Sequence, residues 1–146
     1  MSQKLLVITF ILLLLSAGCG QKKGSRLEGE WQVDPGESIR YIRSTPVWEQ
    51  MSEDEQLIFP DVFEEMAAIM RYTFREDKMI SYLGNQTLEV PYEVISESKD
   101  QLEIVVSTED RKVRLTFFFL EKGLMRFTSD ATSELDYYVW KRSDRK

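Results

Sequence analysis

The sequence predicts a mainly β domain: an antiparallel meander of about eight strands, with a helical insertion between strands one and two. Three observations carry this. From Met70 onward apolar and polar residues alternate with a period of two, broken about every ten residues by turn signals. Between positions 45 and 69 the apolar spacing is instead three and four, the period of a helix. Ahead of both, Leu27, Gly29, Trp31 and Val33 fall on one face of a short strand.

That first strand stops at Asp34-Pro35-Gly36-Glu37, where Asp34 can cap a helix and Pro35 suits its first position. A short helix through Arg43 would bury Ile39 and Ile42. Ser52 followed by Glu55 is a capping box, and Phe59, Val62, Phe63, Met66, Ile69 and Met70 then form an apolar stripe. Pro60 either kinks this helix or starts another. Strands follow over Met70–Arg75, Met79–Leu83, Leu88–Val94, Leu102–Val106, Val113–Phe119 and Leu124–Thr128, with Gly84-Asn85 as the hairpin signal. Pro91 marks an edge or a bulge. A last strand is expected from Leu135 to about Lys141, with Leu135, Tyr137 and Val139 on one face.

Ahead of the domain, residues 5 to 15 read LLVITFILLLL, eleven residues without a charge, after Lys4. A spanning helix needs roughly 20 apolar residues, so this is the layout of a secretory signal: positive start, short apolar centre, small residues. Ser16-Ala17-Gly18 before Cys19 resembles the lipobox of bacterial lipoproteins. The resemblance implies that the Cys19 thiol takes a diacylglyceryl group, that cleavage makes Cys19 the first residue, and that its amine is acylated too. An ordinary signal peptide with an incidental cysteine, or an uncleaved anchor, are the alternatives left open. Two or three acyl chains would make release from a membrane very slow. Gly20 stands where an aspartate would retain an enterobacterial lipoprotein in the inner membrane. The expected address is therefore the cell envelope, on the outer membrane facing the periplasm if the source has two membranes.

The expected organisation is a signal peptide over 1–18, a lipidated cysteine and tether over 19–26, a barrel domain over 27–142 with its helical insertion at 35–69, and a tail at 143–146. Stretched out, residues 20 to 26 reach about 25 Å at most, and Lys22, Lys23 and Arg26 either touch anionic headgroups or are simply solvated.

Gly29-Glu30-Trp31 is similar to the G-x-W signature of lipocalin-like proteins. The resemblance implies a barrel whose floor is closed by Trp31, with Arg142 or Lys141 of the final strand packed over it. Asp34, Tyr72-Thr73-Phe74, Asp77-Lys78-Met79, Gly84 and Val90-Pro91-Tyr92 extend the likeness to small bacterial envelope proteins with a helical insertion. That insertion is far longer than in ordinary lipocalins, so its helices would plug or cap one end.

Composition excludes several chemistries. The chain has no histidine and one cysteine, which removes Ser-His and Cys-His nucleophiles and histidine zinc sites. No glycine-rich phosphate loop or dinucleotide fingerprint occurs. Losing residues 1–18 removes Lys4 alone among the charges and moves the formal balance from −6 to −7, a poor match to nucleic acid. Glu53, Asp54, Glu55, Glu64 and Glu65 read as a solvated helix face, since the loop spacing of a calcium-binding EF-hand is absent. No catalytic residue, metal or cofactor is expected.

The functional lead is aromatic. Trp31, Tyr72, Phe74, Tyr92, Phe117 and Tyr137 are the candidates to line a cavity for a small apolar ligand. Against that, a small barrel's interior is often simply filled by such side chains. Inward tyrosines favour a polar-lined pocket, because a buried hydroxyl needs a partner. Leu115–Leu120, LTFFFL, is apolar on both faces, as a covered central strand or an exposed patch would be. Two functions follow: a non-enzymatic, lipid-anchored envelope protein binding a small apolar molecule in its barrel, or a filled barrel that serves as an interaction module for an envelope protein.

Overall fold

The computed structural model describes residues 22–143, so Cys19 and the leader lie outside the described residues. Eight antiparallel strands close into a barrel in sequence order: β1 Gly29–Val33, β2 Met70–Arg75, β3 Lys78–Leu83, β4 Gln86–Glu97, β5 Gln101–Ser107, β6 Lys112–Phe119, β7 Leu124–Ser129 and β8 Val139–Arg142. β1 pairs with β2 on one side and with β8 on the other, which leaves no free sheet edge. Between β1 and β2 lie three helices: α1 Pro35–Arg43, α2 Pro46–Gln50 and α3 Glu53–Ala68.

The helices start where their caps dictate. The Asp34 carboxylate accepts the Glu37 N–H at 3.0 Å, and Pro35 opens the helix behind it. At Ser52 the capping box is complete: the hydroxyl accepts the Glu55 N–H at 3.3 Å and the Glu55 carboxylate accepts the Ser52 N–H at 2.7 Å. α3 continues unbroken through Pro60, although proline has no N–H to offer the preceding turn. α1 lies on β8, where the Ser38 hydroxyl is buried, donates to the Asp34 carbonyl at 2.7 Å and accepts the Val139 N–H at 2.8 Å. No helix among the described residues is long and apolar enough to cross a membrane.

The two rims of the barrel differ. The β2–β3, β4–β5 and β6–β7 turns gather at one rim, together with both ends of the described chain. The helices, the Gly84-Asn85 hairpin and the segment between β7 and β8 gather at the other, called here the helical end. Part of the expected tether is folded at the first rim. Gly24 donates its N–H to the Glu97 carboxylate at 2.9 Å, Arg26 donates to the Ser98 carbonyl at 2.9 Å and lies 3.9 Å over the Phe119 ring, and Leu27 is fully buried.

Two strand expectations need correction. The last strand begins only at Val139, because residues Glu134–Tyr137 form a 3-10 turn. Its inward residues are Trp140 and Arg142, paired across the ladder with Val33 and Trp31, so the expected face is out of phase by one residue. Pro91 is neither at a bulge nor on an edge strand. It sits opposite Lys78, the first residue of β3, while pairing with β5 starts one residue later at Tyr92, so its missing N–H falls where both ladders end. The bulge of this strand lies between Val94 and Ser96 instead.

Candidate functional site

Trp31 holds the floor of the barrel. Gly29 precedes it with φ +121°, a backbone conformation that side-chain-bearing residues rarely adopt, which is what the glycine of this motif supplies. The buried Trp31 indole donates to the Leu27 carbonyl at 2.8 Å, and the Arg142 guanidinium lies 4.8 Å from the ring centroid. Arg142 also donates to the carbonyls of Glu28, at 2.8 Å, and Arg26. Of the two basic residues expected over the tryptophan, Arg142 takes the role; Lys141 points outward and pairs with Asp34 at 3.2 Å. Burial alone would raise the Asp34 carboxyl, but the Glu37 and Gly36 N–H groups and the Lys141 ammonium outweigh it and hold the carboxyl below its ordinary value.

Five of the six expected aromatic residues share one core, Trp31 at the floor and four above it. Trp31, Phe74, Tyr92 and Phe117 are buried, and Tyr72 is half-buried among them. They are joined by Phe127, whose place on the alternating face of its strand the sequence indicates, and by Trp140, for which the sequence gives no such sign. Phe117 packs at 5.6 Å from Phe74 and 5.2 Å from Phe127, Phe127 stacks at 5.4 Å on Trp140, and Tyr92 meets Phe74 edge-on at 5.8 Å. These rings occupy the space an interior ligand would need. Displacing even one is unfavourable, since a buried Phe-sized side chain contributes about 1.5–3 kcal/mol.

The Tyr92 hydroxyl is satisfied within the chain. Tyr92 donates to the Glu76 carbonyl at 2.9 Å at the rim, and Tyr72 sits opposite Ser81 across the β2–β3 ladder. Burial pushes both hydroxyls, and that of Tyr138, above their ordinary values. Among the described residues, no group of three or more carboxylate, cysteine or histidine side chains is placed to hold a metal ion.

The ring column does not stop at the barrel. Trp140 contacts Tyr138 at 6.2 Å, Tyr138 stacks on Phe63 of α3 at 5.1 Å, and Phe63 leads through Phe59, at 5.4 Å, to Trp48 of α2, 6.1 Å beyond. α3 thus closes the helical end by extending the core. Tyr137, the sixth expected residue, belongs here and not in the barrel. With Ile42, Val47, Met51, Phe59, Val62, Phe63, Met66, Glu134 and Tyr138 it lines an apolar groove of about 160 Å³ on the outside of the helical end.

Exposed apolar side chains concentrate at this end. Of nine large ones exposed among the described residues, Leu57, Ile58, Val62, Met66 and Ile69 lie on or just after α3, and Leu83 and Leu88 on the hairpin at the same rim; only Ile95 and Leu120 lie elsewhere. Within LTFFFL, by contrast, Phe117 is buried and Phe118 and Phe119 are half-buried, so that run is largely a covered strand.

Fold and site together define a lipocalin-like barrel with a helical insertion and an interior filled by its own rings. No protein-family model matches the sequence, and no curated protein matches it.

Proposed function

We propose that the chain is a lipid-anchored, non-enzymatic protein of the cell envelope, whose filled barrel is a scaffold that presents its helical end to an envelope protein. The observation that carries this is the concentration of exposed apolar side chains at the helical end, Val62 and Met66 among them lining the groove, while the barrel interior is packed ring against ring. Exposed contiguous apolar surface of this kind marks interaction sites. The absence of histidine from the whole sequence, and a single cysteine placed at the lipobox, support a non-catalytic role.

The anchor shapes the geometry. Only Gly20 and Gln21 separate Cys19 from Lys22, where the described chain begins at the turn rim, a reach of about 10 Å. With Cys19 acylated, the turn rim faces the bilayer and the helical end faces away from it. In a source with two membranes, Gly20 after the cysteine favours the outer one, facing the periplasm.

The test is photo-crosslinking in the native envelope, with a benzophenone amino acid at Val62 or Met66 and at Lys99 on the opposite rim as control. A discrete crosslinked protein at 62 and 66 but not at 99 is expected. Absence of any product from membrane-bound protein would defeat the interaction reading. Cys19→Ser should release the chain from the membrane; retention with unchanged mass would defeat the anchor. Native mass spectrometry of the extracted protein should show chain plus acyl groups alone, and an extra apolar molecule would restore the ligand-binding reading.

A further inference from the structure

We propose that the groove at the helical end takes an amphipathic segment of its partner protein, an apolar helix face flanked by lysine or arginine. This rests on reading the chain as an interaction protein and names the chemistry of what it binds.

α3 carries two apolar stripes. Phe59, Phe63 and Ala67 turn inward and close the barrel, whereas Ile58, Val62 and Met66, spaced four apart, are 58%, 50% and 44% exposed. Of this second stripe, Val62 and Met66 form one wall of the groove, with Phe63 and Tyr138 among its other lining residues. A row of this spacing is the surface a helix-in-groove contact uses. At about 160 Å³ the groove suits single apolar anchors; a site for a free small molecule runs to roughly 300–1,000 Å³.

Charge then decides among occupants. Residues 46 to 68, which make up α2 and α3, hold seven carboxylates and no lysine or arginine. Glu134 adds another directly on the groove lining. The nearest cation, Arg43 of α1, is held over the Trp48 ring at 5.1 Å, so an apolar cleft with Glu134 on its lining and acidic helices beside it complements a cationic amphipathic segment and steers its approach. The same carboxylates repel a second copy of this face, and they repel an anionic bilayer, from which the helical end in any case points away.

The test uses the full chain carrying Cys19→Ser and two synthetic helical peptides with identical leucine positions, one with lysines and one with glutamates between them. Fluorescence anisotropy should show the Leu/Lys peptide binding and the Leu/Glu peptide not. Val62→Gln and Met66→Gln, at half-exposed positions, should each weaken binding about tenfold with unchanged circular dichroism. Raising salt from about 0.05 to about 0.5 M should weaken it further. Equal binding of both peptides, or indifference to both variants, would overturn the proposal. So would self-association, or binding to phosphatidylglycerol vesicles, that Val62→Gln abolishes. A crosslinked envelope protein at Val62 without Leu/Lys binding would overturn this inference and leave the interaction reading standing. Leu/Lys binding without a crosslinked protein would support the groove's chemistry and count against the envelope partner.

Discussion

Arg142 covers the face of Trp31 and at the same time donates to two carbonyls of the segment before β1, so one side chain ties the last strand to the first. Arg142→Ala is expected to lower stability by about 1–2 kcal/mol, from the lost cation–π contact and charge-assisted hydrogen bonds. Arg142→Lys should recover only part of this, because an ammonium lacks the planar fork that reaches two carbonyls. Urea midpoints of the three proteins check it.

Gly29, two residues before Trp31, sits at φ +121°. Gly29→Ala should destabilise the barrel by about 1–3 kcal/mol, the typical strain of a side chain held in a sparsely populated backbone region. A thermal melt unchanged by the substitution would count against the motif glycine acting through its conformation.

Phe117 is fully buried between Phe74 and Phe127. Phe117→Ala is expected to cost about 3–5 kcal/mol. The cavity left behind is apolar, so benzene should raise the melting temperature of the variant and not that of the native chain. A benzene response from the native chain would mean that its interior is less filled than the ring contacts imply.

Asp34 links cap and charge. Its carboxyl is held below the ordinary value, so the folded state binds fewer protons there than the unfolded chain does. The stabilisation is therefore complete above the ordinary carboxyl pKa, about 4, and is lost as pH falls through the lower folded value. Asn still caps a helix but cannot pair with Lys141. Asp34→Asn should be modestly less stable than the native chain at pH 7, and the two should converge in acid. Asp34→Ala should lose about 1 kcal/mol more at neutral pH through the missing cap. Urea unfolding of all three between pH 7 and pH 2 measures the effect.

How far the fold was readable follows from what is local. Asp34 and Ser52 announce their helices because cap chemistry involves residues three apart, and the strands from Met70 to Thr128 announce themselves by alternation across short turns. The last strand was misphased because Leu135, Tyr137 and Val139 also alternate, while the 3-10 turn at Glu134–Tyr137 that spoils the register has no comparable local mark. Trp140 was consequently missed, although it is at the centre of the ring column. Pro91 misled because its tolerance depends on where two neighbouring strands happen to end. The groove was illegible for a different reason: Phe59, Val62, Phe63, Met66, Ile69 and Met70 read as one buried stripe, but that Val62, Met66 and Ile69 stay half-exposed depends on how the helix seats on Tyr138. The basic residue over Trp31 is implied by the lipocalin-like resemblance, as Arg142 or Lys141, and the register that sets Arg142 opposite Trp31 decides between them.

That closure has a kinetic side. β1 finds its partners about 40 residues away in β2 and about 110 away in β8, separations that put the pairing among the slow, high-contact-order steps of folding. A chain synthesised from its N-terminus delivers Trp31 early and Arg142 almost last. Until the final strand arrives, both flanks of the nascent sheet stay unpaired and the tryptophan uncovered. Nonsense truncation just before Val139, which removes β8 whole, should therefore yield not a slightly shortened barrel but an open, aggregation-prone sheet.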